Sequence, residues 1–262
     1  MPITIDQLVS SPACIPQWTL EQIFPAYAAL GFKKFESFCT WCASALDINQ
    51  PSEQYLALAK QYEMTFTSMH LPAVTEQVAT SLDAAVATAK YAQSIGVKVV
   101  LYKANSRDLY IHAAKPFLDR LESENIEVTP VLQNHKGTPI TTLDDFASII
   151  QGINDPRMKT LLEVGHFARV GVSWQQGVEL LGDSIALVHI NEIDSAGNSV
   201  PFGTGNVDFS GLFEHLAHQN YRGDIVVELE LDTRNSDAQR TMTELGNALT
   251  HLQNLGAQET NP

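Results

Sequence analysis

The feature that most constrains this chain is an eightfold alternation of short, apolar, β-prone runs with amphipathic segments, at a repeat of roughly 30 residues. Strands are expected over Leu8–Ser11, Lys34–Phe38, Thr65–His70, Val97–Lys103, Glu127–Asn134, Lys159–Val164, Ile185–Asn191 and Asp224–Leu231. Helices are expected over Leu20–Leu30, Ser52–Tyr62, Leu82–Ile95, Ile111–Glu124, Leu143–Gln151, Trp174–Leu181, Phe209–Gln219 and Ala238–Leu255. Thr19 and Gln22 have capping-box spacing at the first helix, and Gly31 is placed to end it. A near-continuous apolar run such as Lys159–Val164 suits a parallel strand buried on both faces. Eight strand–helix pairs predict one α/β domain over residues 1–262, a single (β/α)8 barrel. A doubly wound open sheet fits less well, because Ser10–Gln17 has no Gly-rich phosphate loop after the first strand.

At 262 residues and 44% hydrophobic, the chain is large enough to bury such a core. Its net charge of −14 repels phosphate backbones and anionic membrane surfaces, so nucleic acid is not an expected partner. No run approaches the roughly 20 apolar residues of a membrane span, and the first residues lack the pattern of a secretory signal. Cys14, Cys39 and Cys42 are too few and too unevenly spaced for a disulfide framework. Cys39 and Cys42 read as an incidental pair in a loop, and the cytoplasm is the simplest compartment. Barrels of this size commonly pair through their helices or mouth loops, so a homo-oligomer is compatible with the sequence.

In a barrel, the carboxyl ends of the strands converge on one mouth, where the chemistry is placed. Here those ends are rich in polar side chains: Glu36, His70, Lys103, Gln133-Asn134-His135, Glu163 with His166, His189 with Asn191 and Glu192, and Glu228 with Glu230. A lone Glu or His in a loop is ordinarily a solvated side chain, but five or six from consecutive strands form a constellation. Carboxylate, imidazole and amide oxygen without thiolate is a donor set for one divalent cation. Manganese is the first choice, with magnesium, cobalt or zinc also suited. Such a cation serves a hydroxy-carbonyl substrate as Lewis acid and template. Trp41, Phe38, Phe167 and Phe202 follow strand ends and are placed to wall the mouth against a sugar ring or an aglycone. Ordinary packing explains them nearly as well. His112, His215, His218 and His251 fall on helices and are read as surface residues.

The segments Val131–Gly137 (VLQNHKG), Leu161–Gly171 (LLEVGHFARVG), Ala186–Asp194 (ALVHINEID), Pro201–Phe209 (PFGTGNVDF) and Tyr221–Leu231 (YRGDIVVELEL), in this order and spacing, resemble the xylose-isomerase-like TIM-barrel superfamily. The resemblance is carried by the second half of the chain. It implies one metal held by the residues at the positions of Gln133, Glu163, His189 and Glu228, with His166 facing the substrate. Two positions depart from the family pattern: Gln133 stands where a Glu is usual, and Glu163 where an Asp is usual. An amide coordinates through its oxygen but cannot take up a proton, so one of the two bases of an epimerase is missing.

The resemblance implies a metal-dependent sugar isomerase or epimerase, acting by proton transfer next to the carbonyl of a keto-sugar or related polyol. A metal-dependent dehydratase or β-eliminating lyase on a keto-sugar or keto-glycoside is the alternative, and a non-catalytic sugar-binding barrel the second. The expected ligands are Gln133, Glu163, His189 and Glu228. Glu228 is also the expected base, with His166, His135 and Lys103 as catalytic acids or hydroxyl contacts. His70, Glu36, His166, Trp41, Phe202 and Glu230 are expected to bind substrate.

Overall fold

The computed structural model describes residues 3–231 and 238–257. Eight strands form a closed parallel barrel in chain order: β1 (Leu8–Ser10), β2 (Lys34–Phe38), β3 (Thr65–His70), β4 (Val99–Leu101), β5 (Thr129–Gln133), β6 (Lys159–Glu163), β7 (Ile185–Ile190) and β8 (Asp224–Val227). The ring shuts where Leu8, Val9 and Ser10 pair with Ile225, Val226 and Val227. The helices outside it are α1 (Leu20–Leu30), α2 (Ser52–Gln61), α3 (Val78–Ser94), α4 (Arg107–Ser123), α5 (Leu143–Ile153), α6 (Val164–Ala168), α7 (Trp174–Leu181), α8 (Phe209–His218) and α9 (Ala238–Ala257). The expected (β/α)8 barrel is therefore the observed fold.

Local chemistry accounts for most boundaries. The box of Thr19 and Gln22 opens α1, and Gly31 closes it with a left-handed φ of 100°. Helix α4 begins four residues before the expected Ile111, because the Ser106 hydroxyl accepts from the Leu109 amide and caps the helix there. Helix α3 likewise starts at Val78 rather than Leu82. Helix α6 was not foreseen, since the apolar run of β6 continues into Val164, which instead starts a helical turn.

Two cores result from the period-two alternation of the strands. One lies between the sheet and the helices. The other plugs the barrel with Val9, Leu101, Val131, Leu161, Leu187 and Val226, all fully buried. Two residues further along the same six strands stand Ser11, Lys103, Gln133, Glu163, His189 and Glu228. The alternation that fills the barrel thus also aims the site residues inward, one layer closer to the mouth. No helix among the described residues is long and apolar enough to cross a membrane.

Candidate metal centre

His189 is the hub of the polar layer. It is fully buried on β7, and its backbone pairs with Glu163 of β6. Its Nδ1 lies 3.0 Å from Glu163 Oε2 and 3.5 Å from Glu228 Oε1, while its Nε2 lies 3.0 Å from Glu36 Oε1. Both ring nitrogens of His189 and Glu163 Oε1 are buried polar atoms without a hydrogen-bond partner. Such groups are costly unless something else satisfies them. One donor atom each from Glu36, His189 and Glu228 gathers within 4.8 Å of the others. A divalent cation is the ligand that converging carboxylate and imidazole lone pairs fit.

The surrounding side chains fix this cluster. Asn134 brackets the backbone of Glu163, donating from Nδ2 to its carbonyl at 2.9 Å and accepting from its amide at 3.1 Å. Gln133 Nε2 donates to Glu163 Oε2 at 3.3 Å. Glu36 sits deeper than a substrate contact, fully buried on β2 where the register with β3 shifts between Phe35 and Glu36. Ser68 donates to its Oε1 at 3.0 Å, and Ser11 to its Oε2 at 3.3 Å. Gly165 is required because a Cβ there would come within 2.7 Å of Asn191 Cβ.

Burial and charge set the protonation states. Burial and the neighbouring Glu228 push the Glu163 carboxyl up to about 7. Burial works against the charged forms of Glu36 and His189, but their mutual attraction outweighs it, holding Glu36 well below and His189 well above the ordinary value. Burial and the Lys103 charge push His70 down to about 3. Burial and the adjacent His135 push His166 to about 2, leaving a neutral imidazole.

Above the cluster opens a cleft of about 480 Å3, lined by His70, Lys103, Gln133, His135, His166, Glu228 and Glu230 with Phe38 and Trp41. Lys103 Nζ donates to His70 Nδ1 at 2.7 Å. The rings of His135 and His166 lie 3.6 Å apart. Arg169 pairs with Glu230 at 2.6 Å, and Asn191 donates to the same carboxylate at 3.1 Å. The structure therefore brings together every site residue expected from the sequence except Phe202, which packs on Phe209 at 5.2 Å and is not among those lining the cleft. Phe167 likewise lies in the core, fully buried. Glu192 serves the loop rather than the cleft, accepting from the amides of Gly203 and Val207 and so holding the Pro201–Gly205 turn. Cys14, Cys39 and Cys42 are free thiols.

Sequence reasoning gave no role to Ser11, Ser68 or Asn134. An amide immediately after a strand end was the available signal for Asn134; the two serines carried none.

The fold is similar to a solved IOLI protein with a bound zinc atom (TM-score 0.76, 13% identity, covering 95% of this chain and 99% of that one). It is also similar to a D-tagatose 3-epimerase-like protein (TM-score 0.71, 18% identity, covering 95% and 98%). By sequence, 187 residues are 26% identical to inosose dehydratase of Mesomycoplasma hyopneumoniae, a stretch covering 56% of this chain and 62% of the dehydratase. The chain thus spans less than two thirds of the length of the curated relatives it matches. The family model for the xylose isomerase-like TIM barrel matches residues 24–251. The chain belongs to the xylose isomerase-like TIM-barrel family.

Proposed function

We propose that this protein is a divalent-metal-dependent enzyme that removes the proton next to the carbonyl of a polyhydroxy ketone and expels a β-oxygen, a dehydration or β-elimination. The observation that carries this reading is Gln133. Its amide nitrogen donates to Glu163, and its oxygen accepts hydrogen bonds or coordinates but takes up no proton; of the two carboxylates lining the cleft, Glu230 is engaged by Arg169 and Asn191, which leaves Glu228 as the base. An elimination needs one base and one acid, whereas two-carboxylate epimerisation needs a second base.

The cation would be held by Glu163, His189 and Glu228 with the Gln133 amide oxygen. The Nδ1 face of His189 is chosen over the Nε2 face because Glu36 already accepts from two serines, while Glu163 Oε1 has no hydrogen-bond partner. The bound metal supplies Lewis acidity toward the substrate carbonyl. Glu36 holds the opposite edge of His189, so that Nδ1 faces the ligand carboxylates. Glu228 takes the proton. Lys103, whose ammonium burial makes more acidic, gives a proton to the departing oxygen, and His135 and His166 receive substrate hydroxyls. Manganese is the first cation to test. Zinc, found in the similar IOLI structure, is the second.

A second reading, isomerisation or epimerisation, follows the D-tagatose 3-epimerase-like protein to which the fold is similar. Product analysis separates the two. Metal-loaded protein incubated with keto-sugars and keto-glycosides is expected to yield an unsaturated ketone, visible by its ultraviolet absorbance and by NMR. An isomer of unchanged mass without any unsaturated product would replace elimination with the second reading. A panel returning neither would leave a sugar-binding barrel.

A further inference from the structure

The cleft has two unlike walls. One is polar, made by His135, His166 and Glu230. The other is aromatic and runs from solvent down to the metal cluster. Trp41 is 64% exposed at the rim, its ring 5.3 Å from that of Phe38, which stacks on His70 at 3.8 Å. His70 Nε2 in turn lies 3.3 Å from Glu36.

Two observations set Trp41 apart from an incidental surface residue. The other large apolar side chains exposed among the described residues, Ile5, Leu56 and Val78, are at 38–39%. Trp41 also has a backbone φ of 80°, a region that a bulky residue occupies only where its surroundings impose it. Those surroundings are firm: the Ala43 amide donates to Pro16 O at 2.8 Å and the Leu46 amide to Phe38 O at 2.8 Å, pinning the loop on the far side of the tryptophan. An indole left in water on an anchored, strained turn, with its face lining a ligand-sized cleft, is arranged as a platform.

We infer that the substrate has two parts: a polyol ring whose reacting carbons reach the His189–Glu228 end, and a planar apolar group, an aryl aglycone or its equivalent, laid on Trp41. This rests on the proposed function for the first part only. A second sugar ring would use the same indole face, but beside the ring faces of Phe38 and Trp41 its hydroxyls would find only Thr40 and the Lys103 ammonium, which already donates to His70. The aryl group is therefore the better complement.

The test is calorimetric titration of the metal-loaded protein with methyl β-D-glucopyranoside, phenyl β-D-glucopyranoside and methyl β-cellobioside. The phenyl glycoside is expected to bind about tenfold more tightly than the methyl glycoside. In Trp41→Ala that ratio should fall to about one, and Trp41→Phe should restore most of it. The inference is overturned if the wild-type ratio is near one, if Trp41→Ala keeps it, if the cellobioside is preferred, or if none of the three binds. Metal content, and solvent-proton exchange into a panel of keto-sugars, measured on the same preparation, separate the two claims. Metal and exchange without an aryl preference sink the subsite alone, whereas an aryl preference without metal or exchange sinks the proposed reaction.

Discussion

The plug of Val9, Leu101, Val131, Leu161, Leu187 and Val226 and the layer of Ser11, Lys103, Gln133, Glu163, His189 and Glu228 share one set of strands, two residues apart, yet are stabilised in opposite ways. The plug is dry hydrocarbon, satisfied by close packing alone. The polar layer is equally buried at Glu163 and His189, but three of their polar atoms have no hydrogen-bond partner. One layer stabilises the barrel and the other is held in place by it. Substitutions in the two layers should therefore separate stability from function.

The largest expected effect is at the hub. His189→Ala or Glu163→Ala should lose metal by more than about 100-fold in affinity, and activity with it, while the far-ultraviolet spectrum and melting temperature stay close to wild type. Wild-type metal content in either variant, by elemental analysis, would break the ligand assignment. In the plug, Leu187→Ala should cost about 2–5 kcal/mol in urea unfolding and leave metal affinity per folded molecule unchanged. A folded Leu187→Ala protein without metal would show that the layers are not separable.

Smaller effects sharpen the boundary between them. Glu36→Gln keeps size and removes charge beside His189 Nε2, so metal affinity should weaken by about 10–100-fold without loss of fold. Abolished binding would instead make Glu36 a ligand. The smallest effect is the pH dependence of metal binding. Against burial, the charged neighbours Glu36 and Glu228 hold His189 well above the ordinary imidazole value, so the proton it gives up on binding metal makes affinity rise with pH. Glu163, raised to about 7, also binds a proton below that value, so the slope should steepen by one further proton as pH falls through about 7. Titration calorimetry in buffers of different protonation enthalpy measures both.

Period-two alternation made much of this legible in the sequence. Once β6 and β7 are strands, Glu163 and His189 must point with Leu161 and Leu187, toward the barrel axis. What escaped the sequence depends on local irregularity. The depth of Glu36 follows from a register shift in β2, which no side-chain pattern announces. The short helix after Glu163 places His166 over the β5 loop, where the Lys136 amide donates to its Nδ1 at 3.3 Å, and nothing in the run from Leu161 to Val164 marks where the strand stops. Phe202 was expected at the mouth because it follows a strand, but loop side chains have no period to direct them, and it found Phe209 instead. Trp41 follows a strand in the same way, and its left-handed backbone could not be read from neighbours that include no glycine.

The central claim is that the polar layer, loaded with a divalent cation, abstracts a proton next to a ketone. Solvent deuterium incorporation into keto-sugars and keto-glycosides, followed by NMR with manganese-loaded and chelator-stripped protein, tests it most directly. Deuterium incorporation into recovered substrate, or formation of an unsaturated ketone, is expected; either requires the cation and vanishes in Glu228→Gln. Exchange or elimination that persists in stripped protein or in Glu228→Gln, or the absence of both across the panel from fully loaded protein, would contradict it.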